Sequence, residues 1–388
     1  MQRSVLILLV LTIACNGGGT SSGTDSDTGS GSGTSSGTTT GGDPGTSAAN
    51  PTGTGTTSTT GPTTTVAPTT EEGPTTTAGT TTGTDTTGVE TTEGTTGEPG
   101  EDVHDPNEDG PWQFDELVGE IDVDGEAIGV TAYYPTRGPG PYPVVTIAHG
   151  FNLPPTQYTG YATRLASHGY VVLNVDHAGY LFGAVDHVAN AKQVLAALDW
   201  AAEHPDLADI SDVNNVGTTG HSLGGKISVL AAMFDARVKA SLTLDPVDGA
   251  NMCPDMQACP DVSAMLPISI PLGFLGETLD TAGFMACAPA AENFTTFYAE
   301  ASSPALQVTV NGANHMSFLD DVASCGITCS FCQAPTLANA VVNDLARAYV
   351  VAYFGRYLRD NPGYDTYLTG AAAQQRYVDM GLVTIAEK

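Results

Sequence analysis

The composition of the chain breaks near residue 100, and that break limits how much of it can fold. From Gly17 to about Gly100 nearly every residue is Thr, Gly, Ser or Pro, with scattered Asp and Glu and no aliphatic side chain larger than Val66 or Val89. Such a stretch cannot bury enough apolar surface to offset the entropy of ordering it. It predicts a disordered linker over residues 16–104, with a root-mean-square span of roughly 50 Å if it behaves as a flexible coil. Residues 105–388 then form one large domain. The formal net charge of -31 excludes the basic footprint that a nucleic-acid binder needs.

Ahead of the linker, Arg3 supplies a positive start, and Val5 to Ala14 is an apolar run too short to span a bilayer. Residues 1–15 read as a signal peptide, so an exported protein is expected. The Ala14-Cys15 step, followed by Asn16-Gly17-Gly18, resembles the lipobox of bacterial lipoproteins, with Thr12 departing from its usual aliphatic residue. That resemblance implies a lipid anchor through Cys15 and a cell-envelope location. The other reading is an ordinary signal peptide and a secreted protein, with Cys15 incidental.

Beyond Gly119 short apolar runs alternate with helix-like stretches. Strands are predicted at Ile121 to Val123, Ile128 to Tyr134, Val144 to Ala148, Tyr170 to Val175, Val216 to Thr219, Val238 to Leu244, Ile268 to Leu275 and Leu306 to Val310. Helices are predicted at Gln157 to Ser167, Val188 to Glu203, Leu223 to Phe234 and Leu337 to Leu358. Continuous apolar strands separated by helices mean an α/β domain: a mostly parallel central sheet with helices on both faces. Chemistry in such a sheet belongs in the loops at the carboxyl ends of the strands.

Gly220-His221-Ser222-Leu223-Gly224 follows the strand Val216 to Thr219 directly and precedes a helix. A G-x-S-x-G run between a strand and a helix presents the serine hydroxyl on a turn too tight for neighbouring side chains, which makes Ser222 the candidate nucleophile. The competing reading is that Ser222 merely caps the helix. A tetrahedral oxyanion needs two N–H donors. The amide of Leu223 and that of Phe151, in the loop His149-Gly150-Phe151-Asn152 after an earlier strand, are the candidates, while His149 is expected to shape that loop.

Of the eight histidines, only His315 follows the last predicted strand, in Asn311-Gly312-Ala313-Asn314-His315, and it is the candidate base. His221 is expected to point away from the nucleophile, and His177 and His187 are not read as a metal pair. Three carboxylates could orient His315: Asp245, at the end of Val238 to Leu244; Asp248, in the same loop; and Asp280, after the next strand.

The run from Pro143 to about Tyr357 resembles chlorophyllases and the neighbouring cutinase-like polyester hydrolases and platelet-activating-factor acetylhydrolases. The residues that carry it are His149-Gly150-Phe151, Ala166-Ser167-His168-Gly169-Tyr170, Gly220 to Lys226, Leu244-Asp245-Pro246-Val247-Asp248-Gly249, Cys287-Ala288-Pro289 and His315 to Asp321. The resemblance implies the α/β-hydrolase fold and hydrolysis of a small-molecule or lipid carboxylic ester without a cofactor or metal. Its chlorophyllase side places the triad acid on Asp245, which is the reading adopted here, and its polyester-hydrolase side places it on Asp280. Plant chlorophyllases work on chlorophyll in plastids, whereas this chain carries an export signal and has Leu223 where an arginine is frequent, so the ester chemistry carries over and the pigment does not. A catalytically silent binding module displayed on a tether is the competing class.

Cys253, Cys259, Cys287, Cys325, Cys329 and Cys332 lie in the last third of an exported chain and are expected to form disulfides that staple loops around the site, rather than a metal centre. The segments Pro246 to Leu266 and Thr281 to Pro304 are too short for a large helical lid. An open cleft lined by Phe151, Leu223, Met316 and Phe318 is expected.

Overall fold

The computed structural model describes residues 103–178, 186–249, 253, 255–266, 268–283 and 286–388. The signal peptide, Cys15 and the linker up to residue 102 lie outside them.

Nine strands form one sheet in the order β1-β2-β4-β3-β5-β6-β7-β8-β9. They are β1 Phe114–Val123, β2 Glu126–Pro135, β3 Tyr142–Ala148, β4 Val171–Asp176, β5 Ser211–Gly220, β6 Val238–Leu244, β7 Leu272–Glu277, β8 Ala305–Val310 and β9 Val383–Glu387. From β4 through β3, β5, β6 and β7 to β8 the pairing is parallel; the β1–β2, β2–β4 and β8–β9 pairings are antiparallel. The inner strands are buried on both faces, which is why they read as unbroken apolar runs. Along β3, Val144 and Ala148 face one core and Val145 and Ile147 the other, the period-two alternation of a strand.

Five helices cover the sheet: α1 Thr159–Ser167, α2 His187–Glu203, α3 Leu223–Phe234, α4 Phe294–Glu300 and α5 Asn339–Tyr357. Residues of α2, α3 and α4 share one core with Val144, Leu173 and Phe274, while α1 and α5 share the other with Val145, Val172 and Val308. Ile227, Val229 and Leu230 of α3 are fully buried, each contributing about 1.5–3 kcal/mol of apolar transfer. Asp186 starts α2 by accepting the Ala189 amide at 2.8 Å, an N-cap bond. Among the described residues no helix is long and apolar enough to cross a membrane.

Two strand predictions need correction. Ile268 to Pro271 is not strand: β7 begins at Leu272, where the ladder to β6 starts with Ser241 opposite Leu272. The sheet also gains β9, whose sequence Val-Thr-Ile-Ala-Glu pairs with β8 although only Val383 is buried. An edge strand exposed on one side carries too few apolar residues to stand out in a sequence.

Candidate active site

The sharp turn between β5 and α3 sets Ser222 at φ 58° and ψ -122°, a left-handed backbone that costs a non-glycine residue on the order of 1–3 kcal/mol. The surroundings hold it there. The Ser222 amide donates to Leu244 O at 3.0 Å, and Ser222 O accepts the Val247 amide at 3.1 Å. A β-carbon on Gly224 would run into the Ala148 carbonyl, and one on Gly225 into Pro246. The glycines therefore let the turn pack against the end of β3 and against the loop after β6. Ser222 makes no side-chain cap to α3, so the helix-cap reading is set aside.

Its hydroxyl lies instead 2.9 Å from Nε2 of His315. His315 opens a short 3-10 turn after β8, fixed by a reciprocal pair in which Asn314 and Ser317 cap each other. On the far side of the ring, Nδ1 is 2.6 Å from Oδ2 of Asp245, so Nδ1 carries the proton and Nε2 is left to accept from Ser222. Burial holds His315 below the ordinary imidazole value, at about 4. Burial, and then the Asp280 charge, push Asp245 upward.

The three carboxylates have separate surroundings. Asp245 meets the imidazole. Asp280 accepts the main-chain amide of His315 on Oδ2 at 3.0 Å and that of Gln333 on Oδ1 at 2.8 Å. Asp248 faces away, toward Lys226 Nζ at 3.1 Å and the Val262 amide at 2.8 Å.

Leu223 is the first residue of α3, where backbone N–H groups have no partner within the helix. Phe151 sits in the turn Gly150 to Leu153, closed by Leu153 N–H to Gly150 O at 3.1 Å. His149 shapes the loop as expected: its ring stacks on that of His177, with centroids 3.8 Å apart, and His177 Nε2 reaches back to His149 O at 3.0 Å. Of the expected lining, Phe151 is 37% exposed whereas Leu223 and Met316 show only an edge. Phe318 is a correction: it is fully buried, packed with the α1 and α5 core beneath the His221 ring, and lines nothing. The loops after β6 and β7 hold, among the described residues, only the short helices Val262–Met265 and α4.

A model of the chlorophyllase family matches residues 125–373. The chain belongs to the chlorophyllase family. Chlorophyllase-2 of Arabidopsis thaliana is 29% identical over 201 residues, 47% of this chain and 62% of that protein. A bis(hydroxyethyl) terephthalate hydrolase of Streptomyces coelicolor is 26% identical over 263 residues, 67% of this chain and 71% of its own length. A cutinase of Thermobifida alba is 25% identical over 269 residues, 67% of this chain and 75% of its own. The chain thus spans less than two thirds of the plant chlorophyllase it matches.

Sequence reasoning assigned no role to four parts of this chlorophyllase-family site. Tyr158, fully buried, accepts the Gly150 amide at 3.1 Å and donates to His221 Nδ1 at 3.0 Å. His221 in turn donates from Nε2 to the carbonyl of His315 at 2.8 Å. His221 thus points away from the Ser222 hydroxyl, yet it joins the Phe151 turn to His315. Lys226, one turn into α3 and fully buried, pairs with Asp248 and so ties α3 to the Asp245 loop. Glu277, the last residue of β7, is buried and folds the following turn by accepting the amides of Leu279 and, at 2.8 Å, Asp280. For Lys226 and Glu277 the signal was a charged residue inside an apolar stretch; Tyr158 had none, and His221 was hidden by its place beside the nucleophile candidate.

The cysteines pair as Cys253–Cys259, Cys287–Cys332 and Cys325–Cys329. The Cys325-x3-Cys329-x2-Cys332 run is therefore divided between two disulfides. Cys287–Cys332 lies beside Asp280, and the neighbouring Gln333 donates its amide to that carboxylate, so this bridge does staple loops at the site. Asp280, Cys287 and Cys332 lie close enough to share a cation, but both sulfurs are spent in the bridge.

Proposed function

We propose that this protein is an exported serine carboxylic-ester hydrolase acting through an acyl-enzyme. One observation carries the reading: an unbroken line of hydrogen bonds from Ser222 Oγ to His315 Nε2 at 2.9 Å and from His315 Nδ1 to Asp245 Oδ2 at 2.6 Å. Kinship with esterases named chlorophyllase, terephthalate-ester hydrolase and cutinase supports it.

In this mechanism Ser222 Oγ attacks the ester carbonyl carbon while its proton passes to His315 Nε2. Asp245 balances the imidazolium through Nδ1–H. The amides of Leu223 and Phe151 hold the oxyanion, and the positive end of α3 lies behind the first of them. Collapse of the tetrahedral intermediate sends the Nε2 proton to the leaving alcohol. Water, deprotonated by the same nitrogen, then attacks the acyl-enzyme and releases the acid. Water and the ester are the sole reactants.

The alternative, a polyester or lipid esterase with Asp280 as triad acid, is disfavoured on the acid alone. Both Asp280 oxygens already accept main-chain amides, and its contact with His315 is to the backbone. The substrate class of that alternative stays compatible with the exposed Phe151. Residues 1–15 as signal peptide, Cys15 as lipid anchor, 16–104 as tether and 105–388 as catalytic domain complete the proposal. A silent binding module would have no reason to keep the Ser222–His315–Asp245 line.

The test is hydrolysis of short and medium p-nitrophenyl esters by the full chain, together with labelling by a fluorophosphonate probe. Turnover and labelling that both vanish in Ser222→Ala support the esterase. A folded, disulfide-intact protein that neither turns over nor labels is a binding module.

A further inference from the structure

Two oxygens buried behind the imidazole have no hydrogen-bond donor among the described residues: Oδ1 of Asp245 and Oε1 of Glu277. They sit at the ends of neighbouring strands. Leu244 pairs with Leu275 across β6 and β7, and the Asp245 amide donates to Leu275 O at 2.7 Å. Glu277 is the last residue of β7 and Asp245 the first after β6, so the two carboxyls leave adjacent strand ends.

The groups that act on this spot are mostly acidic. Asp245 and Asp280 both press on Glu277, Asp280 presses on Asp245, and His315 faces Glu277 and Asp280. From the β5 turn, the His221 ring packs at a tilt against that of His315 and is kept neutral by burial. The nearby ammonium, Lys226, is committed to Asp248. Three buried carboxylates beside one imidazole cannot all be ionised, because like charges in a desolvated site exclude one another. Both oxygens of Asp280 are taken up by main-chain amides. Asp245 must be the anion that balances an imidazolium. Glu277 is left to keep a proton, and Oε2 cannot carry it because two amides already point there. The proton belongs on Oε1, and an acceptor without a donor, Asp245 Oδ1, is the complement it requires.

We propose that Glu277 is a positioning residue of the triad: as a neutral carboxylic acid it donates from Oε1 to Asp245 Oδ1, while Oε2 holds the turn that brings Asp280 under the His315 amide. One side chain thereby fixes both the acid that meets Nδ1 and the backbone that carries the base. The role rests on the esterase reading above. Burial, with the charge of Asp245, raises the Glu277 carboxyl to about 8, in keeping with a proton held at neutral pH.

The experiment compares the full chain with Glu277→Gln and Glu277→Leu. Isotope-labelled glutamate carboxyls, followed by NMR against pH, should show one glutamate still protonated at neutral pH, missing in Glu277→Gln; this readout needs no turnover and stands even where the esterase reading fails. Ester hydrolysis by the wild type should fall off above about pH 8, where Glu277 ionises. Glu277→Gln keeps a donor toward Asp245 and an acceptor for both amides, so its neutral-pH turnover stays near wild type and the alkaline decline disappears. Glu277→Leu loses on the order of a hundredfold in kcat with KM little changed, the penalty of a misplaced catalytic group. Glutamates that are all ionised at neutral pH, or a Gln variant as poor as the Leu variant, or one with an unmoved alkaline limb, would overturn the proposal.

Discussion

Nδ1 of His315 lies 2.6 Å from Oδ2 of Asp245, and both side chains are almost wholly withdrawn from solvent. In such a place a carboxylate does two things at once: it selects the Nδ1–H tautomer and it neutralises the imidazolium formed during acyl transfer. Asp245→Asn leaves the shape and removes both, so kcat should fall about ten-thousand-fold with little change in KM. Asp280→Asn keeps one acceptor for the His315 amide and should cost closer to tenfold, through misplacement of the base. Steady-state hydrolysis of a p-nitrophenyl ester by the two variants decides it; a larger loss in Asp280→Asn would reverse the assignment.

Lys226 and Asp248 form a buried ion pair at 3.1 Å, and burial holds the Lys226 ammonium below its usual value against the stabilising carboxylate. Removing one member of such a pair leaves the other desolvated without its counter-charge, at a cost of about 3–5 kcal/mol. Lys226→Met should lower urea stability by that order, and Lys226→Met with Asp248→Asn should recover more than half of it. Equal destabilisation in single and double variants would mean that the pair matters for packing rather than for charge.

The Cys287–Cys332 bridge spans 45 residues and Cys325–Cys329 only 4. Closing the longer loop restricts the unfolded chain more, by about 4 kcal/mol against about 2 kcal/mol for the shorter. The Cys287→Ser/Cys332→Ser variant should therefore melt well below the Cys325→Ser/Cys329→Ser variant. It should also lose turnover, because Gln333, next to Cys332, donates its amide to Asp280 at 2.8 Å. Equal melting temperatures would refute the loop argument.

What could be read in the sequence was whatever one contiguous segment encodes. Ser222 sits in a strand-turn-helix run whose glycines announce the turn, His315 follows the last parallel strand, and α3 matches its prediction to the residue. The choice between Asp245 and Asp280 was not encoded that way, because it depends on how two adjacent strand ends stand relative to a third loop. Tyr158 and Lys226 act through partners 63 and 22 residues away, so nothing local marks them, and Glu277, which folds the turn to Asp280, is one acidic residue among many in the sequence. Phe318 looked like cleft lining because it is apolar and near His315 in the chain, but its place in the 3-10 turn directs it into the core.

Besides His315, four of the buried histidines oppose folding in acid. Burial lowers His168 to about 4 and His187 to about 3, and drives His177 and His221 well below the ordinary value of 6.5. Each is neutral when folded, while in the unfolded chain it takes up a proton near its ordinary pKa. The unfolded state therefore binds more protons as the pH falls, so stability is fully present above about 6.5 and drains away toward about 3–4. The melting temperature should be flat near neutral pH and drop steadily on acidification. His168 donates from Nε2 to the Glu108 carbonyl at 3.0 Å, with no partner for Nδ1 among the described residues. Glutamine can supply that donor without titrating, so His168→Gln should flatten the acid slope by one histidine's share at little cost at neutral pH. Circular-dichroism melts of both proteins across the acid range read this directly, and parallel slopes would show that His168 takes no part in it.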